Sequence, residues 1–143
     1  MRTNTRYTEA IQILCYIAIK QSNLPTSDKI AKSINTNAVV VRRIFKMLKD
    51  AELINIKRGY GGCSLKKETN EITLLDVYKA VETAENRQIF KFHEGLSASC
   101  VIGSKIEEIL KEPFQEAQIA LEEKLNNVTL ENVIFNIEKQ IIS

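Results

Sequence analysis

The chain is short of the two residues that interrupt helices: its 143 residues include five glycines and two prolines. That scarcity argues against a β-sandwich and against a disordered chain, and favours a mainly helical protein. Cysteine is scarce as well. Cys15, Cys63 and Cys100 stand far apart, odd in number and without a C-x-x-C pair, which suits free thiols in a reducing compartment better than a disulfide framework. There is one histidine, His93. With no Ser-His-Asp spacing, no phosphate-cradling glycine loop before a helix and no metal-ligand cluster, enzymatic chemistry is not expected. No apolar run approaches membrane-spanning length, and the opening MRTNTRYTEA lacks the apolar segment of a secretory signal. A cytoplasmic protein without membrane contact is expected.

Apolar residues make up 44% of the chain, enough for a real core, and the net charge is only +2. The total conceals a division. Residues 1–67 carry 13 Lys/Arg against 4 Asp/Glu, whereas residues 68–143 carry 7 against 14. A basic first half and an acidic second half point to a polyanion-binding part and a remainder with another task. An unevenly charged but merely solvated surface is the plain alternative.

From Thr5 to Gln21 the apolar positions Tyr7, Ala10, Ile11, Leu14, Cys15, Ile17 and Ala18 recur at spacings of three and four, which predicts a helix with one buried face. Cys15 lies in that stripe and reads as a packed side chain. Pro25 follows a polar break; Thr26 or Ser27 then caps a short helix, Asp28 to Ile34. Asn35-Thr36-Asn37 forms a turn, and Asn37 caps a third helix, Ala38 to Ala51, with Val41, Ile44, Phe45 and Leu48 inward. Two helices joined by a three-residue polar turn match the helix-turn-helix pattern, whose second helix enters the DNA major groove by its first residues. On that reading Asn37, Val39, Val40 and Arg43 contact base edges or thymine methyls, and Arg42 and Lys46 serve bases or phosphates.

Leu53 to Lys57 alternates apolar and polar as a half-buried strand does, and Cys63 to Lys67 returns as its partner. The tip between them, Arg58-Gly59-Tyr60-Gly61-Gly62, is a cationic wing, with Lys57 at its base. Glycines let such a tip approach a phosphate backbone closely, and Arg58 has the reach for a minor groove. The fold class expected is therefore mainly α: a winged helix-turn-helix with a two-stranded wing. These residues resemble the Rrf2 family of winged-helix regulators, the group that includes IscR, NsrR and CymR. The resemblance rests on Arg6-Tyr7, on Leu48 with Leu53-Ile54, on Arg58-Gly59-x-Gly61-Gly62-x-x-Leu65, and on Ile72-Thr73-Leu74-x-Asp76-Val77. It implies a bacterial homodimeric transcription factor, usually a repressor, binding double-stranded DNA at a near-palindromic operator.

Thr73 and Asp76 predict a capping box for a helix running to Thr83, seated by Leu75, Tyr78 and Val81. Glu85 to Ser99 reads as a linker in which Ile89, Phe90 and Phe92 form a docked segment. A long helix is expected over about Val101 to Asn126, with a Ser104/Glu107 capping box, an apolar stripe through Ile106, Leu110, Pro113, Ala117, Ala120 and Leu121 or Leu125, and a kink or restart at Pro113. Thr129 caps a last helix, Leu130 to Ile142, with Val133, Ile134, Ile137 and Ile141 inward. A stripe this long calls for a partner, and a symmetry mate is the simplest one; completion of a monomeric core is the alternative. The expected organisation is a DNA-binding domain at 1–83, a linker or sensor loop at 84–104, and a helical dimerisation arm at 105–143.

Family members with an iron–sulfur cluster place three cysteines before the long helix, and this chain has only Cys100 there, so no cofactor is expected. Cys100, at the mouth of a helix where the dipole favours thiolate, is the candidate redox sensor, with Cys63 a weaker one; an inert Cys100 under the linker is equally consistent. Two other functions stay open: a winged-helix protein-interaction module without DNA binding, and an iron–sulfur-dependent regulator.

Overall fold

A computed structural model describes residues 5–20, 25–57, 62–93 and 100–142. Seven helices and one β-hairpin follow in order among them: α1 (Arg6–Ile19), α2 (Ser27–Ser33), α3 (Ala38–Asp50), β1 (Ile54–Ile56), β2 (Cys63–Leu65), a 3-10 turn (Thr69–Glu71), α4 (Leu74–Val81), α5 (Ala84–Arg87), α6 (Val101–Asn126) and α7 (Leu130–Ile142).

The helix starts are set by local chemistry. Thr26 Oγ1 accepts from Lys29 N at 3.3 Å, Asn37 Oδ1 from Val40 N at 3.0 Å, and Thr73 Oγ1 from Asp76 N at 3.0 Å. Asp76 Oδ2 accepts in turn from Thr73 N, which completes the expected capping box. In each case a side-chain oxygen satisfies a helix amide that has no carbonyl partner within the helix. The α2–α3 turn passes through Asn35 at φ 57°, a left-handed conformation that Asn tolerates better than most residues, and Thr36 N closes it onto Ala31 O at 2.9 Å.

One hydrophobic core joins these elements. Ile13, Leu14 and Ile17 of α1, Ile30 of α2, Val41, Ile44 and Leu48 of α3, Leu53, Ile54, Ile72 and Val77 are all fully or almost fully buried. Ile13 and Val77 carry more of this core than the Ile11 and Leu75 suggested by periodicity. The hairpin is antiparallel, pairing Ile54 with Leu65 and Ile56 with Cys63. Arg6 and Tyr7 act as a clamp on α4: Tyr7 OH donates to Leu74 O at 2.6 Å, and Arg6 Nη1 donates to Val81 O at 3.1 Å. A cation on the last carbonyls of a helix also opposes its dipole.

The second half departs from expectation in four places. First, Leu130 is fully buried in the same core, with Val133 and Ile134 packed against it, so α7 folds back onto α1. Ile137 and Ile141, expected inward, are exposed, Ile141 by 75%. The return is fixed by backbone pairing: Thr73 and Thr129 form an antiparallel bridge, Leu74 N donates to Val128 O at 2.9 Å and Leu130 N to Ile72 O at 2.7 Å. Second, the Ser104/Glu107 capping box does not form. The helix starts four residues earlier with Cys100 at the N-cap, and Ser104 Oγ donates back to Val101 O at 3.0 Å. Third, α6 continues through Pro113 without a restart. Proline removes one N–H, and Pro113 is exposed. Fourth, part of the linker is helical, residues 84–87 forming α5, while Phe90 and Phe92 dock as expected, on Phe114 of α6 at 4.7 and 5.6 Å between ring centroids.

Candidate nucleic-acid interface

Helix α3 divides cleanly. Val41, Ile44, Phe45 and Leu48 are buried, while Arg42, Arg43, Lys46 and Lys49 are exposed and Asp50 alone is acidic. Val39, at the first turn, is 55% exposed although nothing in packing requires an apolar residue there. Val40 is half-buried at the edge of the core. Asn37 is exposed, and its Oδ1 is committed to the cap. Lys46 Nζ pairs with Asp50 Oδ2 at 3.0 Å, both well exposed; such a pair is worth a few tenths of a kcal/mol, about 0.3–0.5, and yields easily to a phosphate.

The α3 cations lie on two flanks. Arg42, Lys46 and Lys49, together with Ser27 and Ile56, line a groove of about 400 Å³ between α3 and β1. The base of the wing and the cationic flank of α3 thus border one surface. Lys57, the next residue, is exposed, and its N–H donates to Gly62 O at 2.8 Å, closing the hairpin. Arg43 turns to the other flank, into a larger cleft toward α6. Gly62, expected at the contact surface, is buried. Arg58, Gly59, Tyr60 and Gly61 lie outside the described residues.

The three thiols have different surroundings. Cys15 and Cys63 are buried, and burial pushes both up to about 11. Cys63 Sγ donates to Pro25 O at 3.5 Å, so it holds a packed, protonated thiol and not the reactive one considered from sequence. Cys100 is exposed at the N-cap of α6, and its side chain makes no capping bond. Among the described residues no three of His, Cys, Asp and Glu converge. With two of the three thiols in the core, the donor set does not fit an iron–sulfur cluster. Among the described residues no helix is long and apolar enough to cross a membrane.

The hairpin beside a cationic, N-capped second helix defines a winged helix-turn-helix protein. Comparison with known families places it further: residues 3–136 match the Rrf2 model, described as iron-dependent transcriptional regulator, and the chain belongs to that family of regulators, not of enzymes. It is 40% identical over 131 residues, 92% of this chain and 96% of the other, to YwnA of Bacillus subtilis (strain 168), described provisionally as an HTH-type transcriptional regulator. A crystal structure described provisionally as a DNA-binding protein is 37% identical, covers 90% of this chain and 98% of its own, and superposes with a TM-score of 0.72. IscR of T. potens has the same fold at 19% identity, TM-score 0.72, covering 98% of this chain and 90% of its own.

Proposed function

We propose that this chain is a homodimeric, sequence-specific DNA-binding transcriptional repressor that acts in the cytoplasm without an iron–sulfur cluster. The observation that carries the reading is the shared groove: Arg42, Lys46 and Lys49 of α3 and Ile56 at the wing's base border one face. Val39 and the exposed Asn37 stand at the leading end of α3, where a helix-turn-helix reads base edges and thymine methyls. Val40 packs behind them, and Arg43 sits at the margin. Lys57, Arg58 and the glycine tip take the flanking backbone or minor groove.

The partner is a second copy. Along α6, Ile102 and Ile109 are 74% and 65% exposed, and Pro113, Ala117 and Ala120 continue the same exposed line at helical spacing. The other half of the apolar stripe, Leu110, Phe114, Leu121 and Leu125, is half-buried against the chain itself. An apolar line this long on an acidic helix is self-complementary about a two-fold axis, and two winged helices related by that axis match a near-palindrome. Cys100, exposed at the start of α6, is the thiol that responds to oxidants: its thiolate takes one oxygen from a peroxide, which leaves as water after protonation, and becomes a sulfenic acid.

The test is genome-wide footprinting of the purified protein, with and without peroxide and repeated with Cys100→Ser, beside sedimentation of the free protein. Protected half-sites one helical turn apart, bound by a dimer, are expected. A monomer at micromolar concentration, or no protection at low salt, would overturn the proposal; an unchanged peroxide response in Cys100→Ser would remove Cys100 as sensor.

A further inference from the structure

Arg42, Lys46 and Lys49 line the groove between α3 and β1, and so does a residue of α2, Ser27. Thr26 caps α2 by accepting from Lys29 N, so the serine that follows is not needed for the cap. Ser27 is half-buried, and its hydroxyl has no hydrogen-bond partner among the described residues. The charges around it are unequal. Three cations meet one carboxylate, Asp50, and Lys46 already holds that carboxylate at 3.0 Å. Arg42 and Lys49 form no ion pair among the described residues. Asp28, the next residue of α2, is exposed and does not line the groove. The floor is apolar, made by buried Phe45 and half-buried Ile56. A neutral hydroxyl donor, two unpaired cations and an apolar floor suit a phosphodiester with its sugar. A bare inorganic anion would have no use for the floor.

We infer that Ser27 is a DNA-contacting residue: its hydroxyl donates to one backbone phosphate whose charge Arg42 and Lys49 neutralise, with the attached deoxyribose on Ile56. The inference rests on the DNA-binding reading and adds to it a residue from another helix. The hydroxyl comes from α2 and the cations from α3, so one phosphate is gripped by both helices of the helix-turn-helix. Such a contact fixes how α3 is set in the major groove and carries no sequence preference of its own. The two kinds of contact leave different signatures. A cation that meets a phosphate releases counterions, so its removal lowers the log–log salt slope. A neutral donor releases none, so its removal lowers affinity at every salt concentration and leaves the slope as it was.

The experiment uses the full chain and a duplex enriched by the wild type from a random-sequence library. Fluorescence anisotropy across a salt series gives affinity and slope for the wild type, Ser27→Ala, Ser27→Glu and Arg42→Ala, beside a thermal melt of each. Alanine is a good helix former, so Ser27→Ala keeps the fold and its melt. Its affinity falls roughly 10-fold, the lower end for a hydrogen bond to a charged group, by one factor on the enriched duplex and on its single-base variants, with the slope unchanged. Ser27→Glu puts a carboxylate in the phosphate's place, costs more than alanine and lowers the slope, as Arg42→Ala does. A second measure replaces each phosphate in turn by an uncharged methylphosphonate. At one phosphate in each half-site that replacement and Ser27→Ala are not additive, as expected of groups in contact. Additivity at every phosphate overturns the inference, as does Ser27→Ala binding equal to the wild type at all salt concentrations. A wild type that enriches no duplex at low salt overturns the DNA-binding reading and this contact with it; an enriched duplex to which Ser27→Ala is indifferent removes Ser27 alone.

Discussion

Asn37 occupies two roles that one pair of substitutions separates. Its Oδ1 caps α3 through Val40 N at 3.0 Å, and its exposed position at the leading end of the helix faces the proposed duplex. Asn37→Ala removes the cap at a cost of about 1 kcal/mol, a loss of roughly 3–4 °C in Tm for a chain of this size. Asn37→Asp keeps the acceptor and adds a negative charge at the positive end of the helix dipole, so stability is held or rises by a few tenths of a kcal/mol. Toward DNA the same carboxylate is repulsive. At about 6 Å from a phosphate and an effective dielectric constant of about 40 the penalty is near 1.4 kcal/mol, about tenfold in affinity. Thermal melts should rank Asp at or above Asn above Ala, and fluorescence anisotropy on an operator should rank Asn above Ala above Asp. If Asp binds DNA as well as the parent, the start of α3 does not face the duplex; if Ala melts with the parent, the cap contributes nothing.

Leu130→Ala, which empties a fully buried site under α1, should cost about 2–5 kcal/mol, read as a fall in the denaturant midpoint; a change within error would remove α7 from the core. Replacing both Arg42 and Lys49 by Ala should lower the log–log salt slope of DNA binding by about 2 if each meets a phosphate, and an unchanged slope would exclude the groove between α3 and β1 from the contact. For the thiols, an alkylating reagent at pH 8 should label Cys100 alone, since burial holds Cys15 and Cys63 protonated to about pH 11. The sign for stability follows: unfolding lets these thiols ionise from about pH 9, so stability falls as pH rises from about 9 to 11. Labelling of Cys63 in the native protein at pH 8 would contradict its placement.

The winged helix could be read from sequence because its determinants are local. A cap and its amide stand three residues apart at Thr26, Asn37 and Thr73, and each buried face repeats at three and four. The C-terminal half depends on distant partners. Ser104/Glu107 has the right local pattern for a helix start, but the helix begins at Val101 and leaves that box inside its first turns. Leu130, Ile137 and Ile141 fall on the same apolar pattern, and the distant backbone pairing of Ile72 to Leu74 with Val128 to Leu130 is what holds Leu130 in the core while Ile141 is exposed. Gly62 was assigned to the tip by its motif, and the structure buries it.

The same distinction bears on how α6 is held. Its C-terminal end is tied to the core by the backbone pairing of Ile72 to Leu74 with Val128 to Leu130, yet no residue along its 26 positions is fully buried. At about 1.5 Å per residue it is a lever of about 39 Å, and a turn of a few degrees at the fixed end carries the free end through about 3 Å. Between the two ends it is pinned by Gln118, whose Nε2 donates to Arg87 O at 2.8 Å and whose Oε1 accepts from Ile89 N at 3.1 Å, with Phe114 one turn away under Phe90 and Phe92. Gln118→Ala removes both bonds at once and leaves two half-buried backbone groups unpaired, about 1–3 kcal/mol each if water does not replace the lost partner. The cost falls on the α5–α6 contact, not on the winged-helix core. Native-state hydrogen exchange should show the Ile89 amide accelerating by about tenfold or more, while amides of α1 and α3 keep their rates. An Ile89 amide that exchanges no faster would mean that the segment after α5 is held by its aromatic contacts alone, and that Gln118 plays no part in setting the angle of α6.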